Sequence, residues 1–233
     1  MLVIGLRDYN KIPLMLLLVV FVIFKSMVTL QFVFLVLELR KRFQSVNARL
    51  RELIPPLCVP EVRAVFGKSL GGVSSQAVPG RLRQLREAYV VLVHAAETLQ
   101  RHFGLPMALG IGHCLAGATF SAYGLLSPAV LRQSPIQQVS LSALWLVHHS
   151  SQLVAMTLAC AVAVDEATET GVLLVRASAV CGWRCPELDA FLQLTLWGPR
   201  VRFTAAGLVV VDRSLLVSSL ALVVTYLVVL GQH

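Results

Sequence analysis

Four apolar stretches, each long enough to cross a bilayer, limit this chain's fold more than any other feature of its sequence. A crossing helix needs roughly 20 residues at about 1.5 Å rise each. The stretches cover residues 12–37, 105–131, 140–164 and 214–231. In hydrocarbon a backbone amide has no water to bond, so each stretch is predicted to be a helix rather than an isolated strand. Composition agrees, with 57% of residues hydrophobic and 14% charged, against about 25% charged in ordinary globular domains. A water-soluble fold is thereby excluded, and the expected class is an all-α polytopic membrane protein with four visible transmembrane helices. Five cysteines without framework spacing argue against a disulfide scaffold.

The first stretch has Pro13 in its first turn and one charge, Lys25. The second carries no charge, but Pro106, Gly110, Gly112, Gly117 and Gly124 predict a loosely packed or kinked helix. The third has the pair His148 and His149 as its only ionisable groups. Net charge is +8, and its distribution sets an orientation rather than pointing to nucleic acid, because cytoplasmic loops accumulate Lys and Arg. Arg40, Lys41, Arg42, Arg49, Arg51, Arg63, Lys68, Arg81, Arg83, Arg86 and Arg101 lie between the first two stretches, whereas Arg132 stands alone between the next two. Arg176, Arg184, Arg200, Arg202 and Arg213 precede the last.

The resulting organisation is an external stub and span over 1–37, cytoplasmic helices and linker over 38–104, and a span over 105–131. An external loop over 132–139, a span over 140–164, a cytoplasmic region over 165–213 and a terminal span over 214–233 follow, with the C-terminus extracellular. The first span continues as an amphipathic helix through Leu39, Phe43, Val46 and Leu50. Pro55 and Pro56 stop it, residues 67–80 form a linker, and a second amphipathic pattern runs through Leu82, Leu85, Tyr89, Leu92, His94, Leu99 and Phe103. Helices thus extend into the cytoplasm. The start of the chain resembles no cleavable signal, and the external stub, with Arg7 and Lys11, suggests that further spans precede it.

In the last stretch, Ser214, Ser218, Thr225 and Gln232 are 4, 7 and 7 positions apart. At about 100° per residue they fall within about 40° of one another, with Val229 close to the same line. A hydroxyl and amide stripe suits the wall of an aqueous pore, since its dipoles attract ions without holding them too tightly. The alternative is that these hydroxyls join helices by hydrogen bonds worth about 1 kcal/mol or less.

Thr225-Tyr226, five residues 227–231, then Gln232 resemble the terminal signature of the insect gustatory receptor family, Thr-Tyr, five hydrophobics, Gln-Phe. Ala205-Ala206-Gly207-Leu208 through Asp212-Arg213-Ser214-Leu215-Leu216 is similar to that family's approach to its last helix. Arg42-Phe43 with Asn47 and Leu50, and Phe103-Gly104, resemble it too. The resemblance covers residues 12–233, matching the last four of seven transmembrane helices. It implies a tetrameric ligand-gated cation channel, homomeric or heteromeric with other gustatory receptor subunits, in the plasma membrane of chemosensory neurons. There the terminal helices line a central pore, the preceding cytoplasmic region anchors the subunits, and a small-molecule tastant enters an external-facing pocket. Thr225, Tyr226 and Gln232 take the motif positions, with Gln232 at the outer pore end. Gly231 and His233 depart from it at the fifth spacer and the Phe, which weakens packing at the helix end. Relative to the family three helices are missing, which implies a partial or truncated receptor.

Other residues admit two readings each. Lys25 is either a functional intramembrane charge or a lysine snorkelling to the interface. His148, His149 and Trp145 either sense ligand or pack helices, and Tyr123 is either a pocket residue or an interfacial anchor. Adjacent histidines cannot converge on one metal and no third ligand stands out, so no metal or other cofactor is expected. Cys181 and Cys185 read as thiols rather than a zinc site or disulfide. Asp165, Glu166 and Glu169 read as a solvated helix end, and Asp212 and Arg213 as either an ion pair or an interfacial cap.

The spans contain no Asp or Glu and no catalytic set, which argues against an enzyme and leaves a small-molecule transporter as a lesser alternative. A noncatalytic assembly subunit or an inactive receptor fragment is the other alternative. The expected partners are a tastant, permeating cations, membrane lipid and further subunits, with no nucleic acid.

Overall fold

The computed structural model describes residues 11–54, 77–126, 136–179 and 185–232. In chain order its elements are α1 (Lys11–Leu53), α2 (Ala77–Leu126), α3 (Ile136–Ala179), α4 (Pro186–Trp197), β1 (Thr204–Ala205), β2 (Val209–Val210) and α5 (Arg213–Gly231). Stub residues 1–10 with Arg7, the prolines at 55 and 56, linker residues 67–76, loop residues 127–135, Cys181 and His233 lie outside the described residues.

The architecture is all-α apart from one two-stranded hairpin. Among the described residues three helices are long and apolar enough to cross a membrane: Val19–Leu53, Pro79–Leu126 and Arg213–Gly231. The stretch 140–164, expected as a further span, falls in α3, which is not one of these three. Its apolar run is broken by His148, His149, Ser150, Ser151 and Gln152, and Leu153, Met156, Ala159, Cys160, Ala161 and Ala163 are buried inside the chain. The second stretch lies within α2, one continuous helix with Pro106 inside it.

The chain divides into two compact units. One comprises Met1–Phe34, Leu105–Thr157 and Arg213–His233, the other Leu35–Gly104 and Leu158–Asp212. The second unit has a core of ordinary apolar type. Leu39, Phe43, Val46 and Leu50 are all buried along one face of α1, as their spacing predicts. From α2 come Leu82, Leu85, Tyr89, Val93 and Ala96. His94 is exposed, so the buried line of α2 passes beside it, the i+4 and i+3 steps from Tyr89 and Val93 setting the face. Tyr89 bridges two helices, its ring centroid 5.8 Å from Phe43 and 5.6 Å from Phe191. Each large apolar side chain so buried contributes about 1.5–3 kcal/mol.

Helix α4 starts where Pro186 follows Cys185, with Glu187 and Asp189 in its first turn, where carboxylates complement the helix dipole. It ends at Gly198, whose N–H donates to the Leu194 carbonyl at 2.9 Å. Arg86 pairs with Glu187 at 3.1 Å and ties α4 to α2. Beyond it, β1 and β2 pair antiparallel, Thr204 opposite Val210 and Ala205 opposite Val209. The turn places Ala206 at φ 53° and Gly207 at φ 75°, and the Leu208 N–H donates to the Ala205 carbonyl at 3.0 Å. Ala205-Ala206-Gly207-Leu208 is therefore the tip of a hairpin immediately before α5.

A buried polar joint links α1 to α3 in the same unit. Asn47, 1% exposed, donates Nδ2 to the Glu166 carbonyl at 2.9 Å and accepts the Thr170 hydroxyl at 2.7 Å. Gln44 donates to the Glu166 carboxylate at 2.8 Å, and Arg51 pairs with Glu169. Glu166 and Glu169 are thus partnered across helices rather than merely solvated, because α3 runs beside α1 at these positions.

Candidate functional site

The spans should be apolar wherever they face only lipid or one another. In the first unit they are not. Lys25 of α1 donates from Nζ to the Cys114 sulfur of α2 at 3.3 Å. The Cys114 thiol lies 3.7 Å from Oε1 of Gln152 in α3. Gln152 in turn donates Nε2 to the Ser26 hydroxyl at 2.8 Å and stands 3.2 Å from Nε2 of His148. Three helices therefore meet through one chain of polar side chains, Lys25–Cys114–Gln152–Ser26/His148.

Aromatic and imidazole rings continue it. His113, one residue before Cys114, sits edge-on to His149 at 5.2 Å and to Phe21 at 5.8 Å. Trp145 stacks on His149 at 5.7 Å with 23° between planes, and meets His148 edge-on at 5.6 Å. His149 is 5% exposed, and its Nδ1 is buried without a hydrogen-bond partner. The close approach of α2 and α3 depends on Gly117, because a Cβ there would lie 2.3 Å from His149 Nε2. Among the described residues no group of three or more His, Cys, Asp or Glu side chains is arranged to hold a metal ion.

Of the sequence-predicted pocket residues, Trp145 and His148 join this cluster, and Tyr123 is exposed and outside it. Lys25, half-buried, contacts the thiol of another helix. His113, Cys114, Ser26 and Gln152 escaped sequence reasoning. Their only signal was polarity inside apolar runs, and at one helical turn from His148, Gln152 lies on the histidine's own face.

The second candidate surface is α5. Its buried contacts come from Leu215 and Ser219, one turn apart. The stripe of Ser214, Ser218, Thr225, Val229 and Gln232 is exposed, and so is Tyr226. The Thr225 hydroxyl donates to the Ala221 carbonyl of its own helix at 2.8 Å, which leaves its oxygen as an acceptor toward the outside. The 19 residues of α5 span about 28 Å at 1.5 Å per residue, the thickness of a hydrocarbon core. Leu215 and Ser219 are the buried residues of α5, and the apolar side chains Val217, Leu220, Val224 and Val228 are exposed along with the stripe.

A family model described as 7tm Chemosensory receptor matches residues 2–232, nearly the whole chain. No curated protein matches the sequence.

Proposed function

This chain belongs to the 7tm chemosensory receptor family, and from that premise we propose that it is a gustatory receptor subunit of a ligand-gated cation channel that detects taste chemicals. A chemoreceptor role and a multi-pass membrane location follow from the family and from the apolar helices. The family is one of receptors, not of enzymes.

The observation that supports the channel reading is the alignment of Ser214, Ser218, Thr225 and Gln232 along one line of an otherwise largely apolar terminal segment. Ser218, Thr225 and Gln232 are exposed, and Leu215 and Ser219 are the buried residues of the helix. On a helix bathed in lipid, exposed hydroxyls and an amide gain nothing. Four copies around a shared axis would instead place them on water and passing cations. In this reading the subunits form a homo- or heterotetramer in the plasma membrane of chemosensory neurons. The C-terminus is extracellular, Gln232 is at the outer mouth, and a small-molecule tastant is bound by the cluster around Trp145 and His148. Orientation is supported by the basic residues that crowd residues 38–104 and 165–213.

The test is electrical. Cells expressing the receptor are recorded under bi-ionic conditions with wild type, Gln232→Glu and Thr225→Val. The substitutions are expected to shift reversal potential or unitary conductance at least twofold in relative permeability. Unchanged permeation in both variants would sink the reading.

A further inference from the structure

We propose that Lys25 anchors the ligand in this chain, and that the ligand is a small organic acid bound as its carboxylate, with Trp145, His149 and Phe21 around its apolar body. The inference rests on the chemoreceptor reading above and names the ligand class that reading leaves open.

The apolar stretches are unbalanced in charge. Residues 12–37, 105–131, 140–164 and 214–231 contain no Asp or Glu, and Lys25 enters no ion pair among the described residues. The hydrogen bond found for it there runs to Cys114 Sγ at 3.3 Å, a weak acceptor that brings no negative charge. An ammonium taken out of water costs several kcal/mol unless an anion accompanies it. Charges within spans accordingly face the protein interior and mark the place where a counter-charge acts. Among the described residues Lys25 has a contact to another helix and no carboxylate paired with it.

The surroundings narrow the anion. Gln152, which holds the Ser26 next to Lys25, also touches His148, so the ammonium and the imidazoles belong to one network. His149 Nδ1 is buried with no hydrogen-bond partner, and an unsatisfied buried polar group costs about 1–3 kcal/mol. Beside these groups lie flat apolar surfaces, Trp145 stacked on His149 and Phe21 against His113. A single compact ammonium with aromatic walls favours a monoanion with an apolar body. A doubly charged, strongly hydrated phosphate would call for several cations or an arginine fork. A sugar, rich in hydroxyls and uncharged, would leave the ammonium uncompensated.

The test measures binding rather than current, so that it stands apart from the channel reading. The full chain in lipid nanodiscs is titrated calorimetrically with acetate, hexanoate, benzoate and phenylacetate, with their methyl esters, and with benzylamine, each against empty discs. At least one carboxylate is expected to bind tenfold or more tightly than its ester, and the amine not at all. Lys25→Met should remove that preference, and Lys25→Arg should retain affinity within threefold. Acid and ester binding equally, binding of none of the four carboxylates, or an undiminished preference in Lys25→Met would each overturn the proposal. Carboxylate binding without any cation current would sink the channel reading and leave this one standing.

Discussion

Thr170 donates its hydroxyl to Oδ1 of Asn47 at 2.7 Å across 123 positions of sequence, and both side chains are buried. With Nδ2 of Asn47 given to the Glu166 carbonyl, the amide is bonded at both ends, and α1 and α3 are locked in register.

Breaking that joint leaves buried polar atoms without partners, which costs about 1–3 kcal/mol. Asn47→Ala is therefore expected to lower the Tm of the purified chain in detergent by several degrees. In a double-mutant cycle with Thr170→Val the coupling should be about 1 kcal/mol. A coupling near zero would show that the hydrogen bond does not hold the helices together.

Gly117 is required by His149 rather than by its own backbone. Since a Cβ at 117 would stand 2.3 Å from the ring nitrogen, Gly117→Ala must push the imidazole or the helix away. The cost of such overpacking is about 1–3 kcal/mol. His149→Ala removes the obstacle, so the double variant should be more stable than Gly117→Ala alone, as read by thermal unfolding.

The two faces of α5 are distinguishable by chemistry. Ser218 is exposed and Ser219 is 5% exposed. In the assembled receptor, Ser218→Cys is expected to react with a charged thiosulfonate at least tenfold faster than Ser219→Cys, with modification followed by current or by mass. Equal rates would mean that α5 has been placed in the wrong rotation.

At the hairpin tip, Ala206 holds φ 53°. The left-handed conformation costs an L-residue about 1–2 kcal/mol, and glycine gives back about 0.4–1 through the unfolded chain. Ala206→Gly should therefore stabilise modestly, by roughly 0.5 kcal/mol, whereas the β-branched Ala206→Val should destabilise. Paired unfolding curves decide it, and a stabilising Val would contradict the turn geometry.

Much of the helical layout could be read in advance because its causes are local. The buried face of α1 followed from Leu39, Phe43, Val46 and Leu50 recurring at helical spacing. Where a helix has two adjacent candidate faces, spacing alone misleads: the pattern through His94 puts it on the buried line of α2, which Val93 holds instead. Residues 140–164 read as another span from hydropathy, and in α3 that stretch has a polar centre, His148 to Gln152, and a partly buried second half.

The sequence by itself determined that this chain is helical, that it meets a membrane, and which family it resembles, since each of these depends on residue type at short spacing. Only the tertiary structure decided that Lys25 turns to Cys114, that His113 meets His149, and that Glu166 answers Gln44 and Asn47. Those pairs lie 89, 36 and about 120 positions apart. Periodicity tells which side of a helix is polar. Which helix stands opposite is set by packing of whole faces, with Gly117 admitting one imidazole and Asn47 satisfied at both ends, and that information is not held in any one segment.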